Sequence, residues 1–219
     1  MSTVSTRLAS PELTSHAGQK DLPASRWWLV LVLGWLGMSV LGLGMLWDDA
    51  AAPGAVGTTP ATWPEETALP LAPTRTTLVM FAHPACACTR ASMSELARLL
   101  TQVGTQVDAH VVIFRPAAPP PGWDETALAA RAREIGADVI WDDAGEEAQR
   151  FGAETSGFVV AYAPDQHLLY AGGITVARGH EGASAGFQRL LHAINATPRV
   201  ASTASVFGCG IDGETEERR

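Results

Sequence analysis

Residues 76–96 read TTLVMFAHPACACTRASMSEL, and the reading of this stretch decides the fold. Thr76 to Ala82 (TTLVMFA) is a short continuous apolar run, the pattern of a strand buried on both faces. From Thr89 to Val103 the apolar residues Met93, Leu96, Leu99, Leu100 and Val103 recur at helical spacing. The turn between strand and helix therefore places Cys86 and Cys88 at a helix N-terminus. Unpaired backbone N–H groups and the positive end of the helix dipole there stabilise a thiolate. A thiolate is a nucleophile and a metal ligand. The same two residues also have plainer readings, as small buried hydrophobes or as half of a zinc site. A zinc site needs two more ligands at metal spacing, and the six histidines stand singly at 16, 83, 110, 167, 180 and 192, with only His83 close by.

Downstream, strand and helix patterns alternate. Residues 106–114 (QVDAHVVIF) read as a second strand, followed by a proline loop over 115–122 and a helix over 124–135. A short strand is expected at 139–141, a short helix at 144–151 and a strand at 157–163. The turn signal Pro164-Asp165-Gln166 lets 167–172 fold back as a hairpin, and 183–195 closes with a helix. The order β-α-β-α-β-α-β-β-α predicts an α/β sandwich with a mixed central sheet over residues 74–211.

Upstream, residues 27–47 (WWLVLVLGWLGMSVLGLGMLW) carry no charge over 21 residues. As a helix they span about 31 Å, enough to cross the hydrocarbon of a bilayer. Trp27, Trp28 and Trp47 suit the interfacial belts at its ends. Arg7, Lys20 and Arg26 precede the span while Asp48 and Asp49 follow it, so the positive-inside rule places residues 1–26 as a cytoplasmic tail. This predicts a single-pass signal anchor in the cell inner membrane with the folded domain periplasmic or otherwise extracytoplasmic. A cleaved signal peptide ending near Ala50-Ala51-Ala52 is the competing reading and leaves that address unchanged. Residues 48–73 hold five prolines and few large apolar side chains, which predicts an extended tether. Residues 212–219 form a polar tail. The net charge of -8 and the lack of clustered basic residues exclude nucleic acid as a partner.

The stretch from Leu78 through Cys86-Ala87-Cys88-Thr89-Arg90 to Leu96 resembles the active-site region of membrane-tethered thiol-disulfide oxidoreductases of the TlpA/ResA type, within the thioredoxin-like superfamily. That family's pattern is a strand, Trp-Cys-x-x-Cys, then Arg-x-Glu-x-Pro-x-Leu. Residues 139–143 through Ala148 and Phe151-Gly152 are similar to the family's strand, Asp, short helix and Tyr-Gly-Val approach to the next strand. The resemblance covers about 74–195 and points toward its RedB-like subgroup. It implies a thioredoxin-like fold, with Cys86 at the first, nucleophilic cysteine. The family's second cysteine falls on Thr89, so Cys88 is displaced by one position. The family's cis-proline is replaced by Thr155-Ser156-Gly157, which keeps a copper role open.

A disulfide across Cys-x-Cys closes a smaller ring than one across Cys-x-x-Cys, and strained disulfides are the more oxidising ones. Cys209 lies in the short apolar patch Val206-Phe207-Gly208-Cys209-Gly210 and reads either as an anchor for the C-terminal stretch or as a resolving thiol. The glycine-rich loop over 172–182 reads more simply as solvated than as a border of the site. The expected function is thiol-disulfide exchange on exported protein thiols or disulfides, with Cys86 attacking, Cys88 resolving and Cys209 as second choice. The cysteines themselves hold the two electrons, so no cofactor is required. Two rivals stand beside this: a Cu(I)-binding metallochaperone using Cys86 and Cys88 with His83 or Cys209, and a non-catalytic thioredoxin-like adaptor. The Pro-x-x-x-Thr-x-x-Cys surround of peroxiredoxins is missing at Cys86.

Overall fold

The structure is a computed structural model that describes residues 25–123, 126–196 and 200–212. The sequence expectations resting on Arg7, Lys20 and Asp124, and on the polar tail beyond Asp212, lie outside the described residues. The described residues fall into two units, one ending at Met45 and the other beginning at Leu46. Helix α1 (Ser25–Ala51) contains the apolar stretch, now Trp27–Asp48, and is long and apolar enough to cross a membrane. Its described side chains are exposed, as an apolar helix surrounded by lipid would leave them.

The second unit is built on six strands: β1 (Thr76–Ala82), β2 (Val107–Arg115), β3 (Asp138–Asp143), β4 (Phe158–Tyr162), β5 (Leu168–Gly172) and β6 (Ser202–Thr203). Their order across the sheet is β3-β2-β1-β4-β5-β6. β1, β2 and β3 run parallel, β4 is antiparallel to β1, and β5 is antiparallel to β4. Helices α2 (Thr89–Val103), α3 (Ala127–Glu134), α4 (Glu146–Phe151) and α5 (Ala185–Asn195) complete the unit. A parallel βαβ half and an antiparallel hairpin half meeting on one central strand make this a thioredoxin-like α/β fold, as expected. β6, a two-residue strand parallel to β5, was not anticipated, because Ser202-Thr203 carries no strand periodicity.

Side chains on β1 alternate between two apolar layers. Leu78, Met80 and Ala82 face α2, α3 and α5 through Met93, Leu96, Leu99, Ala129, Ala132, Phe187 and Leu190. Val79 and Phe81 face the opposite layer, with Ala148 and Phe151 of α4. Both faces are covered, which is why the β1 sequence is apolar throughout rather than alternating. Asp142 at the end of β3 accepts hydrogen bonds from the N–H groups of Glu147 and Ala148, 2.8 and 2.9 Å away, and so caps α4.

The expectation of an extended tether over 48–73 requires correction. Trp63, Leu69 and Ala72 are buried, and Trp63 meets Phe151 and Tyr162 edge-on at ring separations of 5.1 and 5.2 Å. The Tyr162 hydroxyl donates to the Pro60 carbonyl at 2.7 Å, and the Gly57 N–H donates to the Gly152 carbonyl at 3.0 Å. Thr67 and the Ala68 N–H both donate to the Glu147 carboxylate. The physical reason lies in α4. With only six residues it cannot cover the second face of the sheet, and the proline-rich segment supplies the missing apolar surface.

Candidate active site

Cys86 sits in the turn after β1, and its N–H donates to the His83 carbonyl at 3.1 Å. Cys88 occupies the N-cap of α2 in helical conformation and caps no N–H with its side chain. The dipole end of α2 thus faces the cysteine turn without a competing side-chain acceptor at that position. The third cysteine arrives from the other end of the domain. After β6 the chain runs back along the loop that precedes β4. The Ser156 N–H donates to the Cys209 carbonyl at 2.8 Å, Thr155 bridges Gly210 antiparallel, and the Ile211 N–H donates to the Glu154 carbonyl at 3.0 Å. Gly208 permits this approach: a Cβ there would strike the Ser156 carbonyl oxygen.

The result is a cluster of three thiols. Sγ of Cys86 lies 3.0 Å from Sγ of Cys209, and the three sulfurs all fall within 4.8 Å of one another. Cys86 is buried, with 6% of its surface exposed, while Cys88 and Cys209 are half-buried. None of the three is held in a disulfide.

Electrostatics separates them. Burial by itself raises the Cys86 thiol, but hydrogen bonds from Cys209 and Thr89, through both side chain and backbone, outweigh it and hold the pKa below the ordinary 9.0. Cys88 moves the other way. Burial raises it, the neighbouring Cys86 charge and hydrogen bond raise it further, and the Arg178 guanidinium and Cys209 only partly offset them. Cys86 therefore gives up its proton more readily than Cys88.

Side chains around the cysteines complete the site. The Thr89 hydroxyl, at the family's second-cysteine position, pairs with the Ser156 hydroxyl at 2.7 Å, and Ser156 accepts the His83 N–H at 2.8 Å. Gly157 takes φ +92 and donates its N–H to the Phe81 carbonyl at 2.8 Å. Thr155-Ser156-Gly157 thus ties β1, the start of α2 and the Cys209 segment together. His83 stacks on Phe114 at 5.5 Å. The loop over 172–182 is solvated as expected at Val176, Gly179, His180 and Glu181, but it is also tied down beside the site. Arg178 donates to the Gly208 carbonyl at 2.6 Å, and the Gly182 N–H donates to the buried carboxylate of Glu95 at 2.7 Å. Two anchored points fold this loop over the site. An open groove of about 950 Å³ borders the turn, lined by Cys86, Cys88, Arg90, Leu128, Arg131 and Glu181. Its length and glycine content hinted that the loop could border the site; its charged residues carry no motif.

No family model matches the chain, and no curated protein matches it. Among solved structures, an uncharacterized conserved protein from Geobacillus kaustophilus aligns at 19% identity over 74% of this chain and 89% of its own, with a TM-score of 0.52. A hypothetical protein from Sinorhizobium meliloti 1021 aligns at 18% identity over 74% and 94%, with a TM-score of 0.51. A secreted disulfide oxidoreductase of Mycobacterium tuberculosis, homologous to DsbE of E. coli, aligns at 13% identity over 55% and 81%, with a TM-score of 0.38. At 19% and 18% identity the likeness to the first two concerns the fold alone.

Proposed function

From a thioredoxin-like domain that gathers three thiols at the start of its first core helix, we propose that this chain is a membrane-tethered, extracytoplasmic thiol-disulfide oxidoreductase acting on exported proteins. The observation that carries the reading is the 3.0 Å contact between Cys86 and Cys209, with Cys86 shifted toward thiolate. A buried thiolate beside a second thiol and an open groove is the equipment that exchange needs. The apolar helix α1 supports the tether.

Exchange runs in two displacements. The Cys86 thiolate attacks one sulfur of a substrate disulfide, forming a mixed disulfide and expelling the other substrate sulfur as thiolate, which takes a proton. Cys209, losing its proton, then attacks Sγ of Cys86; the substrate's second sulfur leaves, and the domain holds a Cys86–Cys209 disulfide. Two electrons pass to the substrate, and the reverse sequence oxidises a dithiol. Cys209 takes precedence over Cys88 as resolver in this proposal. Closing the bond from 3.0 Å to about 2.05 Å needs roughly 1 Å of movement. Cys88, in contrast, is fixed in the first turn of α2, where its carbonyl accepts from Ala91 and Ser92.

Thiol trapping tests the reading. Oxidised full-length protein, alkylated and digested, should yield a peptide linking Cys86 to Cys209 with Cys88 alkylated. Cys86→Ser should lower insulin reduction by 100-fold or more. Alkylation of Cys86 at neutral pH no faster than that of glutathione, with activity intact in Cys86→Ser, would overturn it and favour the adaptor reading.

A further inference from the structure

We propose that Cys86, Cys88 and Cys209 also form a trigonal trithiolate site for one soft monovalent metal ion, with Cu(I) as the ion that fits it. Three sulfurs from two distant chain segments converge within 4.8 Å of one another, and no described carboxylate or imidazole joins the group. A metal–thiolate bond of about 2.3 Å in a planar three-sulfur site sets the sulfurs about 4.0 Å apart. The Cys86–Cys209 pair, at 3.0 Å, needs to open by roughly 1 Å, and with all three sulfurs within 4.8 Å no pair needs to close by more than that. That is side-chain rotation, with the backbone pairing of 155–156 against 209–210 left in place.

The donor set selects the metal. Zn(II) favours four ligands, and three thiolates leave it one short. Cu(I) is soft and is selected by thiolate sulfur. Three thiolates around one monovalent cation leave two negative charges. The Arg178 guanidinium, held at the site by its bond to the Gly208 carbonyl and acting electrostatically on Cys88, and the N-terminus of α2 both offset them. The ion enters as Cu(I) and remains Cu(I); thiol protons leave to solvent and no electron changes hands, so binding tightens as pH rises.

This inference goes beyond exchange and stands or falls separately, because it is measured on the fully reduced protein with no disulfide substrate present. Full-length protein in detergent micelles, reduced and anaerobic, is titrated against Cu(I) held as its bicinchoninate complex. The expected result is withdrawal of one equivalent of copper, with X-ray absorption showing a single shell of three sulfurs. Cys209→Ser should weaken binding at least 100-fold and leave two sulfurs. The sulfur count of the unmodified protein needs no variant and is unaffected by any misfolding of Cys209→Ser. Two sulfurs in the unmodified protein, no withdrawal of copper, or unchanged affinity in Cys209→Ser would each overturn the proposal.

Discussion

Cys86 is the first of the adjacent pair to lose its proton as pH rises, and the cause resides in individual hydrogen bonds. Its alkylation rate should rise with an inflection below 9.0, while Cys88 should follow with an inflection above 9.0. Replacing Cys209 or Thr89 by Ala removes a donor to the Cys86 thiolate, so in either variant the Cys86 inflection moves upward; an unchanged pH profile would refute that assignment. The linked effect on folding has a definite sign. Ionisation is easier in the folded state, so the thiolate's contribution to stability is full above 9.0 and disappears as pH falls through the lower folded value. The cysteine pair was legible because strand, turn and helix patterns fixed its place at a helix end. Cys209 was legible only as a second-choice thiol, and its contact with Cys86 was not, since 123 residues separate the two and no local pattern announces it.

At the scale of elements, the segment over 54–72 and the one over 202–211 act as two straps on the sheet. Trp63 is the anchor of the first, wedged against Phe151 and Tyr162. Trp63→Ala should destabilise the domain by about 3–5 kcal/mol, seen as a lowered denaturation midpoint. A merely tethering segment would tolerate the change with no shift. In the second strap, Gly208→Ala forces the chain away from the Ser156 carbonyl. The expected outcome is a domain that still folds but gives at least 10-fold less Cys86–Cys209 disulfide under fixed oxidation, read by mass spectrometry. An unchanged yield would show that the close approach does not set the sulfur contact. The first strap was not visible as structure in the sequence, and the second showed only the apolar patch 206–210 as a candidate anchor. Proline and small polar residues carry no periodicity, and such segments are ordered by what they cover rather than by their own propensity.

For the whole molecule, the order of core elements could be read in advance because each buried element shows its own period, from the apolar run of β1 to the helical spacing of α2. The cover on the second face could not, because a six-residue α4 looks sufficient until the sheet behind it is measured. The apolar helix α1 predicts that the chain remains in the membrane fraction after an alkaline carbonate wash. A membrane-impermeant maleimide added to spheroplasts should label the domain's thiols if the domain faces outward; labelling only after permeabilisation would reverse the topology.

The antiparallel run of 209–210 along 155–156 carries a temporal consequence. Synthesis proceeds from the N-terminus, so a nascent chain exposes positions 86 and 88 long before 209 leaves the ribosome. During that interval the nucleophile lacks the neighbour that completes its chemistry and is open to premature cross-linking. Ribosome-stalled chains halted ahead of 209 should therefore accumulate adducts at position 86 that the released protein does not.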